Sequence, residues 1–561
     1  MIIRKKTTVR FLLASMLFVV PHMIASASDL ETKITHIQQI KSDLEQSIAA
    51  PLPIFLKTMQ NGLIWMRSLH QASQNVTPGQ SPDGTEFVAS WKSILQGRKP
   101  ATIATSQALA ILEQCAEPQK SGDAFKKALQ LADELVLELE ALDRIERNRR
   151  QDMQITVKKA DGTPLGDASV QIRQIRHEFL FGCNIFRWAE GDTPANQLYK
   201  DRFSDLFNFA TLGFYWAAYE RREGETLAER WQKVAEWCKQ HGITCKGHPL
   251  VWNYADPRWI PDDPKEVYRL QMERVAREVT RFAGLIDMWD VVNEATPFDR
   301  ESFWERSPKI TKMWEEYGQM DVTKTAFQIA RKANPNAALL INDYYLHTRE
   351  QAERDNSIRG KEREIYEDVI DALVDENGKR LYDVIGIQSH MHGGAWSTER
   401  ILEVVKRFAK YGVPLHFTET TVVSGPRNRE NQEREWGETT PAGEQLQAEE
   451  VERFYRTIFS CPEVEALTWW DFSDDGAWQR APAGFLRRDM SAKPAYDKLM
   501  ALVKDAWWTS ETIKTNANGQ AKTRGFTGTY DITIRAKSGE TIQKTLTLNR
   551  SQAGNHTIYL D

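Results

Sequence analysis

Between Phe179 and Lys504 two hydrophobic periods alternate along the chain. Short runs rich in β-branched and aromatic residues occupy Leu180–Phe186, Phe207–Gly213, Thr244–Trp252, Met288–Glu294, Ala338–Tyr344, Val384–Met391, Leu415–Thr421 and Leu467–Asp474. Their largely apolar character predicts strands buried on both faces. Stretches with apolar residues three and four positions apart lie between them, among them Leu227–His241, Lys265–Phe282, Arg363–Val374, Thr398–Tyr411 and Gln445–Phe459, and predict helices. Eight strands alternating with helices over roughly 300 residues predict an α/β fold, a (β/α)8 TIM barrel at residues 179–508. The competing arrangement, a doubly wound open sheet, usually carries a glycine-rich turn after its first strand. None follows Leu180–Phe186.

The flanks have other periods. Residues 28–150 read as an amino-terminal helical region, with helical spacing at Ile34–Ile48 and Ala124–Ile145 and a Pro- and Gly-containing loop at Asn75–Thr85. Over residues 151–178 the period falls to two, with Ile155–Lys158, a turn at Asp161–Pro164, and Ala168–Ile172. A second run of this kind, residues 509–561, holds Tyr530–Ile534, a turn at Lys537–Gly539, and Thr545–Leu548. So few strands cannot close a core alone, so the two segments are predicted to assemble one small β-sandwich accessory domain. Its strands carry no aromatic row, which favours a structural support over a carbohydrate-binding face.

At the amino terminus Arg4, Lys5, Lys6 and Arg10 precede the apolar run Phe11–Val20, and Ala25-Ser26-Ala27 offers small residues for cleavage. Residues 1–27 are therefore expected to be a signal peptide, and the protein to be exported, periplasmic or secreted. The run is short for a bilayer and is followed by Pro21 and His22, so no membrane association is expected after cleavage.

Composition narrows the partners. The 561 residues are 41% hydrophobic and 27% charged, with a formal charge of −5, which describes a soluble globular protein and gives no footing for nucleic acid. Eighteen Trp supply enough aromatic surface to serve both the core and the stacking of sugar rings. The five cysteines, Cys115, Cys183, Cys238, Cys245 and Cys461, are scattered and lack metal spacing, with Cys238 and Cys245 the only close couple.

In a barrel of this kind the carboxyl ends of the strands converge on one face. Those ends offer Asn184; His248 and Trp252; Asn293 and Glu294; Asn342, Asp343 and Tyr344; Gln388, His390 and His392; Glu419; and Trp469, Trp470 and Asp471 with Trp478 beyond. Two strand-end carboxylates, Glu294 and Glu419, are the minimum equipment for acid/base plus nucleophilic chemistry.

Six segments in this order resemble glycoside hydrolase family 10, the retaining endo-xylanases, over most of Phe179–Leu499. Gly247-His248-Pro249-Leu250-Val251-Trp252 is similar to the family's GHxLVW segment and Trp289–Ala295 to its WDVVNEA segment; Ile341–Tyr344, Gly386–His390, Phe417–Glu419 and Lys493–Tyr496 follow. The resemblance implies an exported endo-1,4-β-xylanase acting with retention on xylan or a substituted xylan, without a cofactor. It makes Glu294 the acid/base and Glu419 the nucleophile, and retention sets such carboxyl groups about 5–5.5 Å apart. Opposite environments would keep Glu294 protonated and Glu419 ionised at working pH. The match further implies that Asn293 reads the 2-OH of the sugar at the cut, and that His390 hydrogen-bonds Glu419 with Gln388 and Tyr344 nearby. His248 would bind a sugar hydroxyl, Trp252 would line the sugar site, and Trp470 and Trp478 would form an aromatic floor.

The chain departs from the family pattern on the second strand, where a run whose Asn and Lys grip sugar is replaced by Thr211-Leu212-Gly213-Phe214-Tyr215-Trp216. Tyr215 and Trp216 are expected to substitute stacking for polar grip. Asn253 stands where a second His is frequent, and Thr421 where an Asp often follows the nucleophile, which alters the network through His390. Two competing readings are a retaining glycosidase for another β-1,4-linked polysaccharide and a non-catalytic polysaccharide-binding protein on the same fold. A metal-dependent hydrolase finds support only in His248, His390 and His392, which no HxH or HExxH pattern sets in register with a carboxylate on an early strand.

Overall fold

A computed structural model describes Leu137 and residues 140–191, 193–296, 305–343, 362–426, 436–550 and 554–560. The chain divides into two units, Met1–Asp143 and Arg144–Asp561, and the second holds the barrel and its flanking strands. The leader 1–27, the loop at 75–85, Cys115, most of the helical region 28–150, and Tyr344 lie outside the described residues.

Eight parallel strands close into a barrel in chain order: Leu180–Asn184, Phe209–Gly213, Thr244–His248, Met288–Asn293, Ala338–Asp343, Val384–Met391, Leu415–Val422 and Val464–Trp469, the eighth pairing back to the first. The expected (β/α)8 barrel is therefore present. Helices return the chain from each strand to the start of the next, so successive strands become neighbours. Helix starts are written locally. Thr193, Asp263 and Thr440 each precede a proline, and their side-chain oxygens accept from the backbone N–H groups of Asn196, Lys265 and Gly443.

Strand ends differ from the pattern reading where local chemistry intervenes. The third strand stops at His248 because Pro249 has no N–H for the ladder, and Val251 returns only as an isolated bridge to Val292. The fourth stops at Asn293, one residue before Glu294. The eighth is shifted to Val464–Trp469, and the chain beyond it turns so that Asp474 meets Lys493 at 2.7 Å.

The segments flanking the barrel pair with each other. Arg150–Lys159 lies between Gln520–Phe526, antiparallel, and Gly554–Leu560, parallel. Ser169–His177 lies between Ser510–Lys514 and Gly528–Arg535, both antiparallel, and Thr541–Leu548 forms the outer edge. Alternate residues of both sheets, including Ile155, Val157, Val170, Ile172, Ile532, Ile534 and Ile558, share one apolar cluster. The buried Arg149 guanidinium donates to the carbonyls of Phe459, Cys461 and Val464 at 2.6–2.7 Å, joining the first of these strands to the end of helix Pro441–Ser460 and the start of the eighth barrel strand.

Among the described cysteines, Cys183, Cys238, Cys245 and Cys461 are buried free thiols. No helix among the described residues is long and apolar enough to cross a membrane.

Candidate active site

Glu419 stands within the seventh strand, the only described barrel strand with eight consecutive buried residues. Its carboxylate is shared by side chains from the adjacent sixth strand and from the fifth and third strands. Oε1 accepts from Asn342 Nδ2 at 2.9 Å and lies 3.8 Å from His248 Nε2, while Oε2 lies 3.2 Å from His390 Nε2. Burial alone would push this carboxyl up. The charge of His248, the hydrogen bond and charge of His390, and the charge of Lys246 outweigh burial and hold it below its ordinary value.

Behind His248 lies an ion pair that the strand ends alone do not reveal. Lys246 and Asp290, both fully buried, meet at 2.6 Å, and Asp290 Oδ2 also lies 2.7 Å from His248 Nδ1. An ionised Asp290 accepts only, so Nδ1 carries the proton. Burial opposes the Asp290 charge, but Lys246 and His248 hold its carboxyl below the usual range. The signal in the sequence is a charged residue inside an otherwise apolar strand.

Glu294 follows the fourth strand with φ of +56°, a left-handed conformation unusual for a glutamate. Its backbone N–H donates to the Asn342 carbonyl at 2.7 Å, and its carboxyl receives Trp252 Nε1 at 3.0 Å and Gln388 Nε2 at 3.4 Å. Strain of this kind persists where surrounding bonds over-determine it, and it clusters at functional sites.

Three amides connect the two carboxylates. Gln388 Nε2 touches both Glu294 Oε1 and Asn293 Oδ1 (3.2 Å), and Asn342 Nδ2 touches both Asn293 Oδ1 (2.8 Å) and Glu419 Oε1. Two donors on Asn293 Oδ1 leave its Nδ2 hydrogens directed elsewhere. Asn342 is fixed in turn by the Thr418 hydroxyl, 2.6 Å from its Oδ1. Gly386 makes room for it, since a Cβ there would lie 2.5 Å from that oxygen.

Aromatic rings surround this polar centre. Trp478, 38% exposed, lies 4.5 Å from the His390 ring, while Trp470, 4% exposed, packs edge-on to His248 and His390 at 5.3 and 5.9 Å. His392 sits 5.2 Å from Trp436 and 5.3 Å from Trp478. His390 Nδ1 lies 2.9 Å from the Thr421 hydroxyl, and Asn253 turns to the Thr311 hydroxyl at 3.3 Å. The second strand corrects one expectation. Trp216 is buried in the shell, its Nε1 donating to Glu220 at 3.1 Å, so it offers no stacking face to the mouth. Tyr215 does face it, 5.5 Å from His248 and 5.8 Å from Trp252.

Of the residues singled out in the sequence, the mouth thus brings together Glu294, Glu419, His248, Trp252, Asn293, Gln388, His390, Trp470 and Trp478. Among the described residues no group of three or more His, Cys, Asp or Glu is arranged to hold a metal ion.

Comparisons with known proteins bear on this arrangement. Anti-sigma-I factor RsgI6 of Acetivibrio thermocellus is 25% identical over 426 residues, 75% of this chain and 49% of that one. Beta-1,4-xylanase of Dictyoglomus thermophilum is 29% identical over 257 residues, 44% of this chain and 65% of that one. Endo-1,4-beta-xylanase A of Thermotoga neapolitana is 27% identical over 282 residues, 48% and 24% respectively. The chain therefore spans less than two thirds of each relative. Xylanase 10B from Thermotoga petrophila RKU-1, solved in complex with xylobiose, aligns with a TM-score of 0.45 and 22% identity over 59% of this chain and 95% of that one. The model of glycosyl hydrolase family 10 matches residues 173–502, more than half of the chain, and the chain belongs to that family.

Proposed function

We propose that this protein is an exported endo-1,4-β-xylanase that cleaves xylan with retention, using Glu419 as nucleophile and Glu294 as acid/base. The observation that carries the reading is the amide chain Gln388–Asn293–Asn342 spanning the two carboxylates at a strand-end mouth.

Glu419, held ionised, attacks the anomeric carbon while Glu294 gives its proton to the leaving oxygen. A glycosyl ester forms on Glu419 and the shortened chain departs. Glu294, now a carboxylate, takes a proton from water, which releases the sugar with its original anomeric configuration. Trp252 and Gln388 keep Glu294 aimed in both steps. Asn293 Nδ2 is free of the bridge and available to the sugar 2-OH, a bond that strengthens as positive charge develops at the ring. His248, Trp470 and Trp478 line the polysaccharide path.

The segment after the second strand favours a second reading, cleavage of another β-1,4-linked polysaccharide, because, of Phe214, Tyr215 and Trp216, only Tyr215 faces the mouth. The two sheets flanking the barrel serve, in this proposal, as an accessory β-sandwich with a structural role, and residues 1–27 as the export signal.

The test is release of reducing ends from xylan by the wild type and by Glu419→Ala, with product anomers followed by NMR. The expected outcome is retained configuration and a loss of more than about 10³-fold in the variant. An inactive wild type that still binds xylan would establish the binding-protein reading instead.

A further inference from the structure

The rings around the mouth form a continuous arc, and Tyr215 closes it. Along the arc the centroid separations are 4.5 Å from Trp478 to His390, 5.9 Å to Trp470, 5.3 Å to His248, 5.5 Å to Tyr215, 5.8 Å to Trp252 and 4.3 Å to Tyr254. Trp252 is the residue that holds Glu294, and His248 faces Glu419. Tyr215 therefore stands between the side chains that hold each carboxylate.

The turn out of the second strand explains why Tyr215 alone has this place: the strand ends at Gly213 and the short helix Trp216–Tyr219 begins one residue after Tyr215. Phe214 and Trp216 turn outward and are buried in the shell, Phe214 against Trp289 at 4.9 Å and Trp216 against Trp259 at 5.9 Å. Gly213, the last residue of the strand, leaves space that Phe186 and Tyr215 fill, their ring atoms lying 3.2 and 3.5 Å from where a Cβ would be. Tyr215 itself is only partly buried. Burial first, then the negative charge of Glu419 and those of Glu294 and Asp290, push its hydroxyl well above the usual range, so it remains a neutral donor. A partly exposed ring with a neutral hydroxyl suits the apolar face and equatorial hydroxyls of an uncharged pyranose, and no cationic side chain of the second strand is present to favour a charged one.

We propose that Tyr215 contacts the substrate directly and sets specificity on the second-strand side of the cleft, stacking on an uncharged sugar ring and donating to one of its hydroxyls. This rests on the reading of the site as a polysaccharide cleft.

The experiment uses the full chain. Tyr215→Phe and Tyr215→Ala are assayed on xylo-oligosaccharides of two to six sugars, with thermal unfolding measured alongside. The expected result for Tyr215→Ala is a KM raised at least tenfold on the longer substrates with kcat within about threefold, and for Tyr215→Phe an intermediate rise with unchanged unfolding. KM within twofold of wild type for both variants overturns the proposal. Binding is measured separately by calorimetry in the Glu419→Ala background with xylohexaose and cellohexaose, where Tyr215→Ala should weaken affinity at least tenfold. If the wild type does not cleave xylan but Tyr215→Ala still weakens either affinity, only the xylanase reading fails. If neither oligosaccharide binds the Glu419→Ala protein, both fail.

Discussion

Asn342 donates to Glu419 across 2.9 Å while the same nitrogen lies 2.8 Å from Asn293 Oδ1, so one amide group sets the spacing of two site residues. Replacing it by Asp would keep the shape but turn both donor contacts into repulsions. A like charge beside Glu419 raises its pKa, so fewer molecules hold the ionised nucleophile at acid pH. For Asn342→Asp we expect the acid limb of kcat/KM to move up by about one pH unit, and activity on its acid side to fall by about tenfold. An unmoved acid limb would show that Asn342 does not govern the ionisation of Glu419.

Thr421 acts on the same carboxylate through His390. Its hydroxyl lies 2.9 Å from Nδ1 and fixes the ring with Nε2 facing Glu419. An aspartate at this position would accept from Nδ1 and favour the doubly protonated ring. The positive ring, so favoured, would hold Glu419 still lower. Thr421→Asp is therefore expected to shift the acid limb of kcat/KM down, by about half a unit to one unit. A shift in the opposite direction would mean that the new carboxylate acts on Glu419 directly.

The barrel and its mouth are readable in the sequence because both rest on local patterns: apolar runs of strand length, each ending in a polar or aromatic residue. Features that depend on register across the barrel are not. Lys246 looks like a solvated interruption until the fourth strand sets Asp290 beside it, 44 positions later in the chain. Asn342 stands among the strand-end residues, but its bridging role appears only when Gly386 opposes it and Thr418 fixes its amide. Trp216 reads as a cleft residue beside Tyr215, yet the strand ends at Gly213 and Trp216 opens the short helix Trp216–Tyr219, so the turn out of the strand separates the two.

The Lys246–Asp290 pair is expected to behave as a buried ion pair does when broken. Lys246→Met would leave Asp290 charged and without its cation inside the barrel, at a cost of about 3–5 kcal/mol in unfolding free energy. Removing both charges in Lys246→Met with Asp290→Asn would cost much less than the sum of the single changes, which a double-mutant cycle by urea unfolding measures. Additive losses would mean that the pair is not coupled. The single change also withdraws one of the positive charges that keep Glu419 ionised, so its acid limb should rise.

Asp471 gives the opposite sign. Just past the eighth strand, its Oδ1 accepts from the Trp478 backbone N–H at 3.0 Å, while Oδ2 is buried without a hydrogen-bond partner. Burial, opposed by that N–H and reinforced by Asp474, pushes the carboxyl up to about 7. In the unfolded chain the group loses its proton near pH 4, whereas the folded chain keeps it until about 7. Between those limits the folded state binds more protons, so stability falls as pH rises, by at most about 1.4 kcal/mol per unit, and levels off above the folded value. Asp471→Asn retains an oxygen for Trp478 and cannot ionise. Its melting temperature should match wild type near pH 4 and exceed it increasingly up to neutral pH; melting curves that run parallel across this range would show that Asp471 does not carry the linkage.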